Sequence, residues 1–162
     1  GFTGFLYAGM MMTPAGPKTL EFNVRLGDPE TQALMHRMDC DFGELLAAAA
    51  TPGGLAGKSF RWSASPSVCV VLASAGYPAS PKIGDVIHGI DAAEATGAVV
   101  FQAGTKTFEK ELVTFGGRVL GVTASGATLE SAIGNAYRAC DLIQFEGMQL
   151  RRDIGHKGLR RW

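Results

Sequence analysis

The sequence lacks several features that would point to particular classes of protein. It has only three cysteines in 162 residues and no Cys-x-x-Cys pair, so neither a zinc site of that type nor a disulfide framework is indicated. No run approaches the roughly 18 apolar residues that a membrane span requires. The formal net charge is zero, so the chain as a whole is not attracted to nucleic acid or to an anionic membrane. Any charged substrate must therefore be held by local groups.

The sequence also lacks an initiator methionine and a targeting signal. It begins Gly1-Phe2-Thr3-Gly4, with no basic region leading into an apolar one. We therefore expect a carboxy-terminal piece of a longer protein. The separated cysteines are interpreted as structural, reduced thiols of a cytoplasmic protein. The three scattered histidines are interpreted as structural or surface residues.

The first feature along the sequence is a predicted β-hairpin. An apolar run over residues 5–12 is followed by the turn residues Pro14-Ala15-Gly16-Pro17 and by a strand over residues 18–25. Successive side chains of a strand point to opposite faces. Leu20, Phe22 and Val24 should therefore share a face that can be buried, and Glu21, Asn23 and Arg25 should share the other.

This polar row has a spacing that suits a metal ion and an anion. Neighbours on one face of a strand lie roughly 6.6 Å apart along the chain, so the Glu21 carboxylate and the Asn23 amide oxygen can bind one hard cation such as Mg²⁺. Arg25 continues the row with a guanidinium that prefers carboxylate or phosphate oxygens. The alternative is a half-exposed strand whose polar face only meets water.

Two helices are predicted after the hairpin. Asp28 followed by Pro29 is typical of a helix start, with Asp28 as the cap, and the helix should run through residues 34–38. Its free backbone N–H groups could face the same anion as Arg25, or Asp28 could simply cap. Asp41 and Glu44 resemble a capping box that opens a second helix through the alanines at 47–50.

The composition changes near Arg61, where we place a domain boundary between residues 1–61 and 62–162. The second part should contain a central strand at 68–73, a short strand beginning at 86–87, and strands at 99–102, 112–115 and 118–123, with a polar turn at 109–111. A helix beginning at Thr128 to Ser131 has one apolar face. Strands followed by a packing helix predict an antiparallel α+β domain.

A second candidate site is the segment Gly116-Gly117-Arg118. Its glycines permit close backbone approach, and Arg118 can bind a phosphate; a tight turn with a surface arginine is the alternative.

The chain end is basic, with Arg151, Arg152, Lys157 and residues 160–161. Only Trp162 lies near as an aromatic, so a solvated tail is favoured over a nucleic-acid or membrane surface.

Several motifs together resemble one family. They include Glu21-Phe22-Asn23-Val24-Arg25-Leu26-Gly27-Asp28-Pro29-Glu30-Thr31-Gln32, Tyr7-Ala8-Gly9-Met10, Gly76-Tyr77-Pro78, the stretch from Gly116 to Ala124, Phe145-Glu146-Gly147-Met148 and Arg151-Arg152-Asp153-Ile154-Gly155. The sequence is similar, nearly end to end, to the phosphoribosylamine–glycine ligases of the ATP-grasp superfamily. The resemblance implies the last part of an ATP-grasp domain, a β-hairpin plus helices, followed by a small antiparallel-sheet domain with a packing helix.

The resemblance also implies a reaction. ATP phosphorylates glycine to glycyl phosphate, and 5-phosphoribosylamine then displaces phosphate to give glycinamide ribonucleotide. In this family Glu21 and Asn23 would be the ligands of Mg²⁺, with Mn²⁺ as a possible substitute, and Arg25 would stabilise the transferring phosphoryl group. The implied substrate contacts are Asp28, Gly117 and Arg118.

Most of the ATP site would precede Gly1, in missing amino-terminal domains, so we expect this chain alone to be inactive. One alternative is another ATP-grasp carboxylate ligase of the biotin-carboxylase type, because Glu-x-Asn-x-Arg recurs in that superfamily. The other is a non-catalytic binding module that retains only the fold.

Overall fold

The structure, a computed structural model, describes residues 2–160. Residues 161 and 162 of the basic end therefore lie outside the described residues. The elements are β1 (Tyr7–Thr13), β2 (Gly16–Asn23), α1 (Glu30–Arg37), α2 (Phe42–Ala49), β3 (Ser67–Ala73), α3 (Ile90–Glu94), β4 (Val99–Gln102), β5 (Thr105–Phe108), β6 (Glu111–Thr114), β7 (Arg118–Ser125), α4 (Leu129–Cys140) and α5 (His156–Leu159).

The predicted hairpin is confirmed, since β1 and β2 pair antiparallel. The second strand is shorter than expected, because it ends at Asn23. Its pairing is also irregular: Gly9 lies opposite Glu21 and Met10 opposite Thr19, so Leu20 is the extra residue of a bulge. The apolar face is not buried, because Leu20, Phe22 and Val24 are 64%, 64% and 72% exposed.

The core of the molecule is a three-stranded antiparallel sheet in the order β3-β7-β4. Helix α4 packs against β7 and β3, and α1 also packs against both strands. Strand β7 is therefore buried along nearly its whole length, from Val119 to Ala124. Strand β3 has the apolar composition of a central strand but lies at one edge of this sheet. Its position was predicted wrongly, because helices covering both faces give the same sequence pattern as two strand neighbours.

Helix α4 was predicted correctly. Thr128 accepts a hydrogen bond from the backbone N–H of Ser131, whose hydroxyl accepts one from the N–H of Thr128, which completes a capping box. The helix buries a face of small residues against the sheet: Ala132, Ile133, Ala136, Ala139 and Cys140. Four of these five side chains are small, and Ile133 is the one large side chain among them.

Several other elements differ from those that the sequence pattern predicts. The Thr105–Phe108 strand was not predicted; it pairs with β6 through a turn at Glu109 and Lys110, both of positive φ. Val86 and His88 each form an isolated bridge, in place of the short strand predicted to begin at 86–87. Helix α2 is capped by Asp41 as expected, but the Glu44 carboxylate pairs with Lys58. The domain boundary near residue 61 stays a prediction.

Candidate functional site

The polar row begins at the end of β2, where Glu21 and Asn23 lie together on one face. The Asn23 Nδ2 donates a hydrogen bond of 3.1 Å to the Glu21 Oε1, so the two side chains are within reach of a common ion. Glu21 is exposed and Asn23 is half-buried. The predicted neighbourhood of these two groups is therefore present, with access from solvent.

Arg25 does not continue the strand. Residues 24 and 25 form a bend after β2, so the regular alternation that placed Arg25 in the row ends two residues before it. Its Nη1 donates a hydrogen bond of 3.0 Å to the carbonyl oxygen of Leu26. The expectation of one continuous strand was wrong, because the chain turns here toward α1.

Tyr7 and Glu30 belong to the same neighbourhood and were not identified from the sequence. Tyr7 pairs with Asn23 across the hairpin, and its hydroxyl donates a 3.1 Å hydrogen bond to the Glu30 Oε1 in the first turn of α1. The bond to the Glu30 carboxylate, and the charge of that carboxylate, raise the pKa of the Tyr7 phenol. Counting the hairpin register outward from the turn would have placed Tyr7 opposite Phe22, and the extra residue Leu20 shifts its partner to Asn23.

Asp28 does not cap α1, which contradicts the prediction made from the Asp-Pro pair. The residue before the helix is Pro29, and no side chain caps it. The Asp28 carboxylate instead forms a 2.9 Å ion pair with the Arg118 Nη2, and the Arg118 Nη1 donates to the Asp28 carbonyl oxygen at 3.3 Å. Two residues predicted separately as substrate contacts, 90 positions apart, are thus brought together.

The space left open by the missing side chain of Gly117 is occupied by another residue of the protein, Tyr77. A β-carbon at this position would lie 2.4 Å from the Cδ2 of Tyr77, so the tyrosine ring packs on the glycine. The carbonyl oxygen of Gly117 accepts a 2.9 Å hydrogen bond from the backbone N–H of Ser74. Gly117 therefore fixes Tyr77 beside Arg118.

A cleft of about 510 Å³ opens beside Arg118. Its polar lining consists of Tyr77, Arg118, Gln149 and Arg151, and its apolar lining includes Val71, Leu150 and Ile154. Cys69 also lines it, and burial raises the pKa of that thiol above its ordinary value. Sequence reasoning assigned Arg151 to a solvated tail, because the cleft depends on a contact between distant segments.

The fit of a divalent ion can be judged from the donor set. Glu21 and Asn23 offer oxygen atoms, which suit Mg²⁺ or Mn²⁺, and a site of this kind keeps several ligand positions for water and substrate phosphates. Residues 2–160 contain no cluster of three or more His, Cys, Asp or Glu side chains that could hold an ion without help. The residues present therefore fit part of a site, to be completed by other groups.

Family models match two segments of the chain. Residues 67–157 match the model described as "Phosphoribosylglycinamide synthetase, C domain", and residues 1–31 match the one described as "Phosphoribosylglycinamide synthetase, ATP-grasp (A) domain". The first match alone covers more than half of the chain. The chain belongs to the phosphoribosylglycinamide synthetase family. The resemblance stated from the sequence motifs is thereby confirmed.

Curated relatives of the phosphoribosylglycinamide synthetase family agree with this assignment. The phosphoribosylamine–glycine ligase of Yersinia pestis is 50% identical over 162 residues, which are 99% of this chain and 38% of the relative. That of Synechocystis sp. is 46% identical over 159 residues, 98% of this chain and 38% of the relative. The chain therefore spans well under half the length of the curated relatives it matches.

A solved structure of the same family supports the fold. The crystal structure of phosphoribosylamine–glycine ligase from Thermotoga maritima superimposes with a TM-score of 0.69 at 35% sequence identity, covering 91% of this chain and 36% of that one. The predicted α+β fold class is confirmed. The comparisons do not favour a biotin-carboxylase-like ligase or a non-catalytic module. Among the described residues, no helix has the length and apolar character to cross a bilayer.

Proposed function

We propose that the chain is part of an ATP-dependent ligase that joins glycine to 5-phosphoribosylamine, yielding glycinamide ribonucleotide, ADP and phosphate in the cytoplasm. The observation that carries the proposal is the pair of Glu21 and Asn23, held 3.1 Å apart on an open strand face within a chain of this family. A polar pair of this kind has no role in the packed core.

In this proposal Glu21 and Asn23 hold Mg²⁺ or Mn²⁺. When bound, the ion neutralises charge on the β- and γ-phosphates of ATP. The γ-phosphoryl group passes to the glycine carboxylate with release of ADP, and the amine of phosphoribosylamine then attacks the acyl carbon as phosphate leaves. Arg25 stabilises the phosphoryl oxygens with the donors that remain after its Nη1 bonds the Leu26 carbonyl oxygen.

The sugar phosphate is assigned to the cleft beside Arg118. Tyr77 is seated on Gly117 there, and Asp28 holds the Arg118 guanidinium through one carboxylate oxygen and one backbone carbonyl. Asp28 therefore acts by orienting Arg118. The support for this assignment is the cationic group at the edge of a cleft large enough for a small ligand.

The test uses the full-length ligase that contains this chain. ADP formation is measured with glycine, phosphoribosylamine and a series of Mg²⁺ concentrations, in the wild type and in the variants Glu21→Ala and Asn23→Ala. Loss of a metal ligand should lower kcat by about a hundredfold or raise the Mg²⁺ requirement similarly. Lys18→Ala, an exposed residue of the same strand, is the matched control and should behave as the wild type.

Two results would argue against the proposal. Unchanged Mg²⁺ dependence in both site variants would remove Glu21 and Asn23 from the metal site, and turnover with other carboxylates but not with glycine would reject the assigned substrate. We also propose that the 162-residue chain alone has no ligase activity, since it spans 38% of the length of the relatives. Measurable ATP-dependent ligation by the isolated chain would contradict this.

A further inference from the structure

We propose that Arg151 is a second phosphate-binding residue of the sugar-phosphate site, acting on the same ligand as Arg118. The inference rests on the proposed function, because it deepens the assignment of the cleft. Arg118 and Arg151 line one cleft although they are 33 positions apart in sequence. They are the charged side chains among the residues that line it, and both are cationic.

The backbone explains how the two arginines meet. Ala73 ends β3 and pairs with Arg118 on one side, while on its other side it exchanges two hydrogen bonds of 2.8 Å with Gln149. Because neighbouring strands lie about 4.8 Å apart, Arg118 and Gln149 are separated by roughly 10 Å across Ala73. Arg151 follows Gln149 by two residues, the period at which extended chain returns a side chain to one face. The site is therefore built on the packed sheet.

Both guanidiniums keep donors for a ligand. A guanidinium has five N–H donors. Arg118 uses one on the Asp28 carboxylate and one on its carbonyl oxygen, and Arg151 uses two on the Asp153 carboxylate at 2.9 and 2.7 Å. Three donors remain on each. The hydrogen bond from Arg151 also holds the pKa of the Asp153 carboxyl below its ordinary value.

The remaining lining suits a phosphorylated sugar. Val71, Leu150 and Ile154 provide apolar walls against which a small ligand can pack. Tyr77 and Gln149 supply hydroxyl and amide groups for sugar hydroxyls. A phosphate dianion between two guanidiniums is the ligand class that this combination of charge and walls favours.

Arg152 provides a matched control within the same motif. It too is exposed and ion-paired, with the Asp141 carboxylate at 3.0 Å, and its guanidinium lies 5.7 Å from the centre of the Tyr137 ring. It does not line the cleft. A difference between neutralising Arg151 and neutralising Arg152 therefore reports on the cleft and not on surface charge.

The experiment compares Arg151→Gln, Arg151→Lys and Arg152→Gln in the full-length ligase. Arg151→Gln should raise the KM for phosphoribosylamine by about tenfold to a hundredfold, with the KM for glycine and for ATP within about twofold of the wild type, and Arg151→Lys should recover part of the loss. Arg152→Gln should leave all three values near the wild type. Equal behaviour of Arg151→Gln and Arg152→Gln, or a fall in kcat with no change in KM, would overturn the proposal.

A binding measurement separates this inference from the ligase assignment. Ribose 5-phosphate is titrated into the full-length protein by calorimetry, with inorganic phosphate as a second probe. Weaker binding in Arg151→Gln than in Arg152→Gln supports the site even if the wild type shows no ligase activity. Equal binding in the two variants overturns it whatever the activity. If Arg151→Gln does not fold, Arg151→Lys against Arg152→Lys gives the same comparison.

Discussion

The β1–β2 hairpin and the β3-β7-β4 sheet use the same antiparallel pairing but differ in burial. The hairpin exposes large apolar side chains along its length, among them Met12, Leu20 and Phe22. The sheet is covered by α4 and α1, and its central strand is buried. Of the 21 buried hydrophobic residues that the structure describes, Leu45 alone precedes Val68. The region with the proposed metal ligands therefore has little core, and the region with the arginine cleft has nearly all of it.

The residues that should stabilise the fold therefore lie mainly in the sheet region, whereas the proposed metal ligands lie in the hairpin. A two-stranded hairpin is marginally stable in water unless its apolar face is covered. The free energy of unfolding of the described chain should therefore depend mainly on the sheet and α4. Four expected outcomes test or sharpen this difference.

The largest effect is expected from matched leucines in the two regions. Leu72 is fully buried in β3, so Leu72→Ala should lower the free energy of unfolding by about 2–5 kcal/mol. Leu20 is exposed in β2, so Leu20→Ala should change it by less than about 0.5 kcal/mol. Urea denaturation followed by circular dichroism measures both. Similar losses in the two variants would show that the hairpin is as important to stability as the sheet.

A smaller effect is expected from matched glycines. Gly16 in the hairpin and Gly89 before α3 both have positive φ. A β-carbon on Gly89 would lie 1.9 Å from the Leu142 carbonyl oxygen, whereas a β-carbon on Gly16 would have no other atom within 4 Å. Gly16→Ala should cost about 1–2 kcal/mol from backbone strain alone, and Gly89→Ala about 2–4 kcal/mol because the clash adds to it. Thermal denaturation would compare them, and a larger loss at Gly16 would reverse the expected order.

A pH-dependent effect is expected from Cys140, which is fully buried in α4. Burial raises the pKa of this thiol to about 12, from an ordinary value of about 9. The folded chain retains the proton while the unfolded chain loses it, so the stability is fully present below pH 9 and falls as the pH rises toward 12. Urea midpoints at pH 7 and pH 10.5 should fall more in the wild type than in Cys140→Ala. An equal fall of the urea midpoint in the wild type and in Cys140→Ala would contradict a raised pKa at Cys140.

The smallest effect is expected at the contact between the two regions. The side chains of Asp28 and Arg118 are 50% and 44% exposed, so their ion pair should contribute only about 0.2–1 kcal/mol. A double-mutant cycle with Asp28→Ala, Arg118→Ala and the double variant measures it by urea denaturation. A coupling well above this range would mean that the pair is a main support of the hairpin region.

Local patterns predicted those parts of the fold that local interactions decide. The capping box at Thr128 with the small-residue face of α4, and the apolar residues of β4, needed only a short window of sequence. Strand β5 was missed because three of its four residues, Thr105, Lys106 and Thr107, are polar and its stability comes from pairing with β6.

The site could be predicted only in part for the same reason. Glu21 and Asn23 are two residues apart, so the period of a strand was enough to bring them together. Asp28 was assigned as a cap because a local pattern cannot show an arginine 90 positions away that takes its carboxylate. Arg151 reaches the cleft through the bridge between Ala73 and Gln149, which no spacing in the sequence indicates.

The short segment from Asp28 to Glu30 connects the two candidate sites. Its first residue is tied to Arg118 and its last to Tyr7, which stands opposite Asn23. The segment therefore joins Arg118, at the cleft, to the first strand of the hairpin, whose second strand carries Glu21 and Asn23. Under the proposed function, a shift of this segment would move groups of the sugar-phosphate site and of the metal site together.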